Sequence, residues 1–163
     1  EDRPELEALA RSLELDPWVR FLGARPDAAT LMQFLDLLVV PSLVETTPFV
    51  ILEAMSVARP VVASRVFGIP EMIVDGLTGS LVPPNDPEAL AQALQPLIES
   101  RSLRAQMGIA GRSRYESLYT AQRMARATEA AYRGEESRPG DCGPPAGAVT
   151  ARTGQTGEKG RAA

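Results

Sequence analysis

The sequence contains no histidine. That removes imidazole acid–base catalysis, a Ser-His-Asp triad and any histidine-ligated metal from this chain. A single cysteine, Cys142, excludes an internal disulfide and a cysteine-rich zinc site. It favours a reducing, cytoplasmic setting. Aromatic residues make up only 5% of the 163 positions, while 44% are hydrophobic. Ala, Leu and Val must therefore fill the core, which suits helices packed on a sheet better than an aromatic-rich all-β domain. No apolar run approaches the roughly 20 residues that span a bilayer, and no signal peptide stands at the start. Basic residues are outnumbered, 17 against 21 acidic, for a net charge of −4. The chain thus lacks the electrostatic footprint of a nucleic-acid binder and any general drive toward an anionic membrane. It opens at Glu1 rather than at a methionine and is expected to be a piece of something longer.

What is present is an alternation of short apolar runs and helical patterns. Pro4 to Leu15 places Leu6, Leu9, Ala10 and Leu13 at helical spacing, and Asp16-Pro17 ends it. Trp18 to Leu22 reads as a short strand. Ala28 to Leu35 follows as a helix, with Asp27 as its cap. Leu37 to Val40 is wholly apolar, the pattern of a strand buried on both faces of a parallel sheet. Thr47 as cap and Pro48 as first residue open a helix to about Ala58. Val61 to Ser64 and Gly79 to Val82 read as two further strands, separated by a short helix at Pro70 to Val74. Helices then follow from Asp86-Pro87 to about Ser100, from Leu103 to about Tyr115, and from Ala121 to about Tyr132. The order argues for a right-handed βαβ series and an open parallel sheet with helices on both faces and a helical C-terminal end. Residues 1–133 are expected to form one partial domain. Residues 134–163, rich in Gly and free of aromatics, are expected to be a disordered tail.

In an open α/β sheet, ligands bind beyond the carboxyl ends of the strands. The loops there are Gly23-Ala24-Arg25, Pro41 to Thr47, Ser64 to Ile69, and Val82 to Asn85. The helix after the second loop is apolar almost all round, and its one charge is Glu53. A buried carboxylate needs a partner. Pairing with a basic side chain such as Arg59 and holding a polar ligand with paired hydroxyls explain Glu53 equally well. The free amides and dipole at the helix start favour an anion, and Glu45 lies in the loop just before. A sugar, a diphosphate and a ribose would match Glu45, the helix start and Glu53 in that order. Taken alone, Glu45 is more simply a solvated loop carboxylate. The arginines of the last helices, Arg101, Arg104, Arg112, Arg114, Arg123 and Arg126, are mixed with acids and read as a solvated face.

The stretch Pro41-Ser-Leu-Val-Glu-Thr-Thr-Pro-Phe-Val-Ile-Leu-Glu-Ala-Met-Ser-Val-Ala-Arg-Pro-Val-Val-Ala-Ser64 resembles the signature of glycosyltransferase family 4. Two glutamates separated by seven residues are followed by Ala-Met and a Pro-Val-Val-Ala strand. Val19-Arg-Phe-Leu-Gly23, the segment from Gly68 to Gly79 and that from Leu81 to Leu90 also match, so the resemblance covers about residues 4 to 133. It implies a Rossmann-like domain that forms the C-terminal, donor-binding half of the two-domain GT-B fold. It implies that Glu45 contacts hydroxyls of the transferred sugar and acts as the catalytic residue. Thr46, Thr47, Pro48 and Phe49 would line the sugar and diphosphate, Glu53 would hold the ribose hydroxyls, and Gly23, Ala24 and Arg25 would lie against the base. Thr46-Thr47 stand where the family commonly has glycine and an aromatic or leucine; Ala58 and Phe67 also stand where glycine is usual. The family's diphosphate-clamping Arg and Lys, the preceding strand and the acceptor domain all lie upstream of the matched segment.

The activity implied is retaining transfer of a sugar from a nucleoside-diphosphate donor to an acceptor hydroxyl, carried out by the parent protein rather than by this piece alone. A non-catalytic nucleotide-sugar-binding or interaction module is the main alternative, and a nucleotide-sugar epimerase the lesser one. No cofactor and no metal are expected. The expected partners are the donor and the missing N-terminal acceptor domain, with no nucleic acid and with membrane contact only through that absent domain.

Overall fold

Val61, Val62, Ala63 and Ser64 are all buried and form the central strand of a three-stranded parallel sheet. The computed structural model describes residues Asp2–Gly134. Its elements run α1 Arg3–Ser12, α2 Ala28–Leu31 continued by a 3-10 turn Met32–Phe34, β1 Leu38–Val40, α3 Phe49–Ser56, β2 Val61–Ser64, α4 Ile69–Met72, β3 Gly79–Val82, α5 Pro87–Glu99, α6 Arg101–Leu118 and α7 Ala121–Tyr132. The strand order is β1-β2-β3, with Leu38 beside Val61 and Val61 beside Gly79. Parallel neighbours cannot be joined by a tight turn, so each return passes through a helix. The expected α/β architecture is therefore present.

A strand buried at every position needs cover on both faces. Val62 joins Val82, Leu97 of α5 and Met107 of α6 in one cluster, with Leu90, Leu94 and Leu103 packed around it. Val61 and Ala63 point the other way by strand alternation, and α3 packs against both β1 and β2. Ile51, Leu52, Ala54 and Met55 of α3 are buried. Each large one contributes about 1.5–3 kcal/mol by leaving water.

Several expectations need correction. Trp18 to Leu22 is not a strand but irregular chain. A strand exists only through a neighbour that shares its backbone hydrogen bonds, and this segment lies outside the β1-β2-β3 ladder, with Trp18 83% exposed. The leucine stripe of α1 forms as predicted but is uncovered: Leu6, Leu9 and Leu13 are exposed and only Ala10 is buried. Arg114 is not solvated. It is buried in α6, where Nε donates to Met72 O at 2.9 Å and an Nη to Glu71 O at 2.6 Å. Those carbonyls end α4, and a guanidinium is well shaped to satisfy them. Asp27 does stand at the start of α2, but its carboxylate makes no capping bond.

The chain divides into two compact units, Glu1–Tyr115 and Glu116–Ala163. The first holds the sheet. The described part of the second holds the end of α6 and the whole of α7, whose start is capped by Thr120 Oγ1 accepting from Arg123 N at 3.3 Å. The tail expected over residues 134–163, with Cys142 in it, lies outside the described residues except for Gly134.

The end of α3 meets α6 at a point with no spare room. A Cβ on Gly108 would lie 2.0 Å from the Ala58 carbonyl oxygen, backbone against backbone. Ala58 itself has φ 56, the left-handed region where the resemblance led one to expect glycine. Two opposite changes follow at this contact. Gly108→Ala should cost about 3 kcal/mol in urea unfolding. Ala58→Gly should raise stability by about 0.5–1 kcal/mol, because strain of about 1–2 kcal/mol outweighs the added chain entropy.

Candidate functional site

All three strands point their carboxyl ends at one edge, and the loops that leave them form the site. The loop after β1 carries Glu45, Thr46 and Thr47 and enters α3 through Pro48, which is buried with φ −70 and ψ 112. The helix starts one residue later than expected, at Phe49, and no side chain caps it, Thr47 included. Proline has no N–H to give, so the first donors of α3 are main-chain amides without a side-chain acceptor. Their partial positive charge favours an anion there.

The next loop runs from Arg65 to Gly68 and is pinned to β3. Arg65 N donates to Val82 O at 2.7 Å. The Arg65 guanidinium pairs with Asp75, whose other oxygen accepts from Leu81 N at 2.9 Å. In the sequence Asp75 is simply half of an Asp-Gly pair, a turn signal; its part in tying the β2 loop to β3 is not a matter of spacing. Gly68 closes the gap to the Glu45 loop. A Cβ there would sit 2.1 Å from Thr46 O, and Thr47 Oγ1 lies 3.6 Å from the same point. Phe67, just before it, has φ 41, so this second position where glycine is usual is also left-handed. Asp86 in the third loop caps α5, accepting from Ala89 N at 2.9 Å.

Glu45 is half-buried, and its Oε1 accepts from the amide of Thr46 at 3.1 Å. Thr46 and Thr47 are exposed, as is the ring of Phe49. Glu53 is half-buried in the second turn of α3, between the buried Leu52 and Ala54. Its carboxylate has no hydrogen-bond or ion-pair partner among the described residues. Arg59 does not supply one: an Nη of Arg59 donates to Gln33 O instead. Pairing with Arg59 is therefore removed as the explanation of this charge. Glu53 lies four positions after Phe49, about 6 Å along the axis at 1.5 Å per residue. A half-buried acceptor pair thus stands one turn beyond an uncapped helix start, with a second carboxylate on the other side of it.

The Gly23-Ala24-Arg25 loop is exposed. Arg25 donates to both carboxylate oxygens of Asp27, at 2.8 and 2.6 Å. The guanidinium holds the Asp27 carboxyl below the usual carboxylate range, and the carboxylate in turn raises Arg25. Gly23 lies beside Arg3 of α1, whose guanidinium donates to Phe21 O at 3.2 Å. The side-chain hydrogen bonds of this loop run to Asp27, whereas the Glu45 loop is closely approached by the backbone of Gly68.

Residues 1–100 match the family described as glycosyl transferases group 1. The chain belongs to that family. It is 43% identical over 106 residues to the D-inositol 3-phosphate glycosyltransferase of Corynebacterium kroppenstedtii, an overlap of 64% of this chain and 24% of that protein. The chain spans about a quarter of the length of the curated relatives it matches. Among solved structures it resembles sucrose-phosphate synthase from Thermosynechococcus elongatus, with 32% identity and a TM-score of 0.76 over 82% of this chain and 34% of that one. It also resembles HepE from Anabaena in complex with UDP, with 27% identity and a TM-score of 0.77 over 80% of this chain and 36% of that one. The fold of this group 1 domain is that of its GT-B neighbours, as expected. No helix among the described residues is long and apolar enough to cross a membrane.

The Thr46–Gly68 contact makes the shape of the Glu45 loop depend on a residue 22 positions away. Gly68→Ala should displace Thr46 and Thr47 and lower stability by about 1–3 kcal/mol. Amide chemical shifts should move at Glu45 to Phe49 and stay in place at β2; unmoved shifts at Thr46 would show the contact to be slack.

Proposed function

We propose that this chain supplies the donor-binding part of a family 4 glycosyltransferase that transfers a sugar from a nucleoside diphosphate to an acceptor hydroxyl with retention. The observation that carries the proposal is the unpartnered carboxylate of Glu53 one turn inside an apolar helix whose start no side chain caps. A carboxylate with two free oxygens accepts from a vicinal diol, and ribose offers one. The main-chain amides at Phe49 and its neighbours suit the diphosphate. Glu45 is assigned to the hydroxyls of the sugar, with Thr46, Thr47 and Pro48 as the wall beside it. Gly23, Ala24 and Arg25 are assigned to the base. The bound UDP of HepE supports a nucleotide ligand for this fold.

In the reaction proposed, the bond between the anomeric carbon and the diphosphate oxygen breaks. The acceptor oxygen bonds to that carbon on the same face, and its proton passes to the departing diphosphate. Charge grows on the diphosphate as the bond breaks, and the α3 amides are pre-aimed at it. The acceptor site and the remaining cationic clamp are assigned to the rest of the parent protein, and the parent to the cytoplasm.

The two glutamates should separate by assay. In the isolated chain, Glu53→Ala should weaken the better of UDP and GDP by about 10–100-fold, the value of one or two charge-assisted hydrogen bonds. The same variant should lose all preference for that nucleotide over its 2′,3′-dideoxy form. In the full-length parent, Glu45→Ala should lower transfer at least 100-fold while nucleoside-diphosphate affinity changes little. Unchanged nucleotide affinity in Glu53→Ala rules out the ribose role, and unchanged transfer in Glu45→Ala leaves a binding module rather than a catalytic one.

A further inference from the structure

A polar cavity lies at the opposite edge of the sheet. It measures about 490 Å³ and is lined by Asp36, Arg59, Arg101 and Arg104 with the end of α3 and the first turns of α6. Asp36 and Pro60 precede β1 and β2, so the cavity sits at the amino ends of the strands, away from the Glu45 and Gly68 loops.

Its charges are not balanced internally. Arg104 is committed: it donates to Leu97 O at 2.6 Å and Ile98 O at 3.1 Å, and pairs with Asp36 at 3.1 Å. That pair consumes the one carboxylate in the lining. Arg59 spends one Nη on Gln33 O, while its Nε is buried and meets no acceptor among the described residues. No carboxylate among the described residues pairs with Arg59. Arg101 adds a second guanidinium at the first residue of α6, where the helix dipole also favours negative charge. Two cations without a counter-ion in one cavity describe a site for a small dianion.

We propose that this cavity is a second anion site, separate from the donor site, that takes a phosphate group with Arg59 and Arg101 as its donors. Its volume suits a free phosphate or a small phosphorylated metabolite, and guanidinium donors match phosphate oxygens in geometry.

The test is titration of the full chain with inorganic phosphate, followed by amide chemical shifts at constant ionic strength against sodium chloride. Phosphate should move the amides of Arg59 and of Arg101 to Ala105, and chloride should not. Arg101→Ala, an exposed position at which folding is not at risk, should weaken the effect at least fivefold, and Arg59→Gln should do the same. Titration with glucose 6-phosphate then separates the two sources: tighter binding than phosphate identifies a phosphorylated metabolite, equal binding a free phosphate. Shifts confined to Phe49 and Val50, an equal response to chloride, or full binding in both arginine variants would overturn the proposal.

Discussion

Every position of β2 is buried, and most of the architecture follows from that one condition. A strand with no solvent face must be covered on both sides, and its parallel neighbours force each connection through a helix. The outcome is polarity: all carboxyl ends lie at one edge and all amino ends at the other. Loops with Glu45, Gly68 and Asp86 collect at the first edge. Arg59 and Arg104 collect at the second, beside Asp36. Neither grouping is local in sequence, and both depend on the same four buried residues.

Charges set in apolar surroundings are resolved in different ways here, and the differences sort structural roles from functional ones. Arg114 is buried and spends its donors on the carbonyls that end α4, so its role is to finish that helix. Glu53 has no such partner, although it sits between buried neighbours on α3. Arg59 is intermediate, with one nitrogen used and one buried without an acceptor. A charge that the fold itself satisfies needs no ligand; one that it leaves open is where a ligand can contribute.

Backbone strain falls at the same places. Ala58 and Phe67 both adopt left-handed φ where an L side chain is disfavoured, one at the close approach of α3 to α6 and the other beside the Gly68 contact. These are positions where the chain must turn sharply between packed elements, and the surrounding packing holds them there.

Apolar periodicity was enough to find β1, β2, β3 and the helices around them, because burial on both faces leaves an uninterrupted run and a helix leaves a 3.6-residue repeat. The order of the matched motifs was enough to identify the family, and the place of Glu53 in an apolar helix was enough to mark it as unusual. Pairing lies beyond such patterns. Whether Trp18 to Leu22 becomes a strand depends on a neighbouring backbone, whether Arg114 is solvated depends on what α6 packs against, and whether Arg59 neutralises Glu53 depends on which carbonyl it reaches. The sequence by itself determined which segments are apolar and which residues carry charge, since those are properties of the side chains. Only the tertiary structure decided which charges meet, since a contact between residues 22 or 42 positions apart is set by how helices return along the sheet.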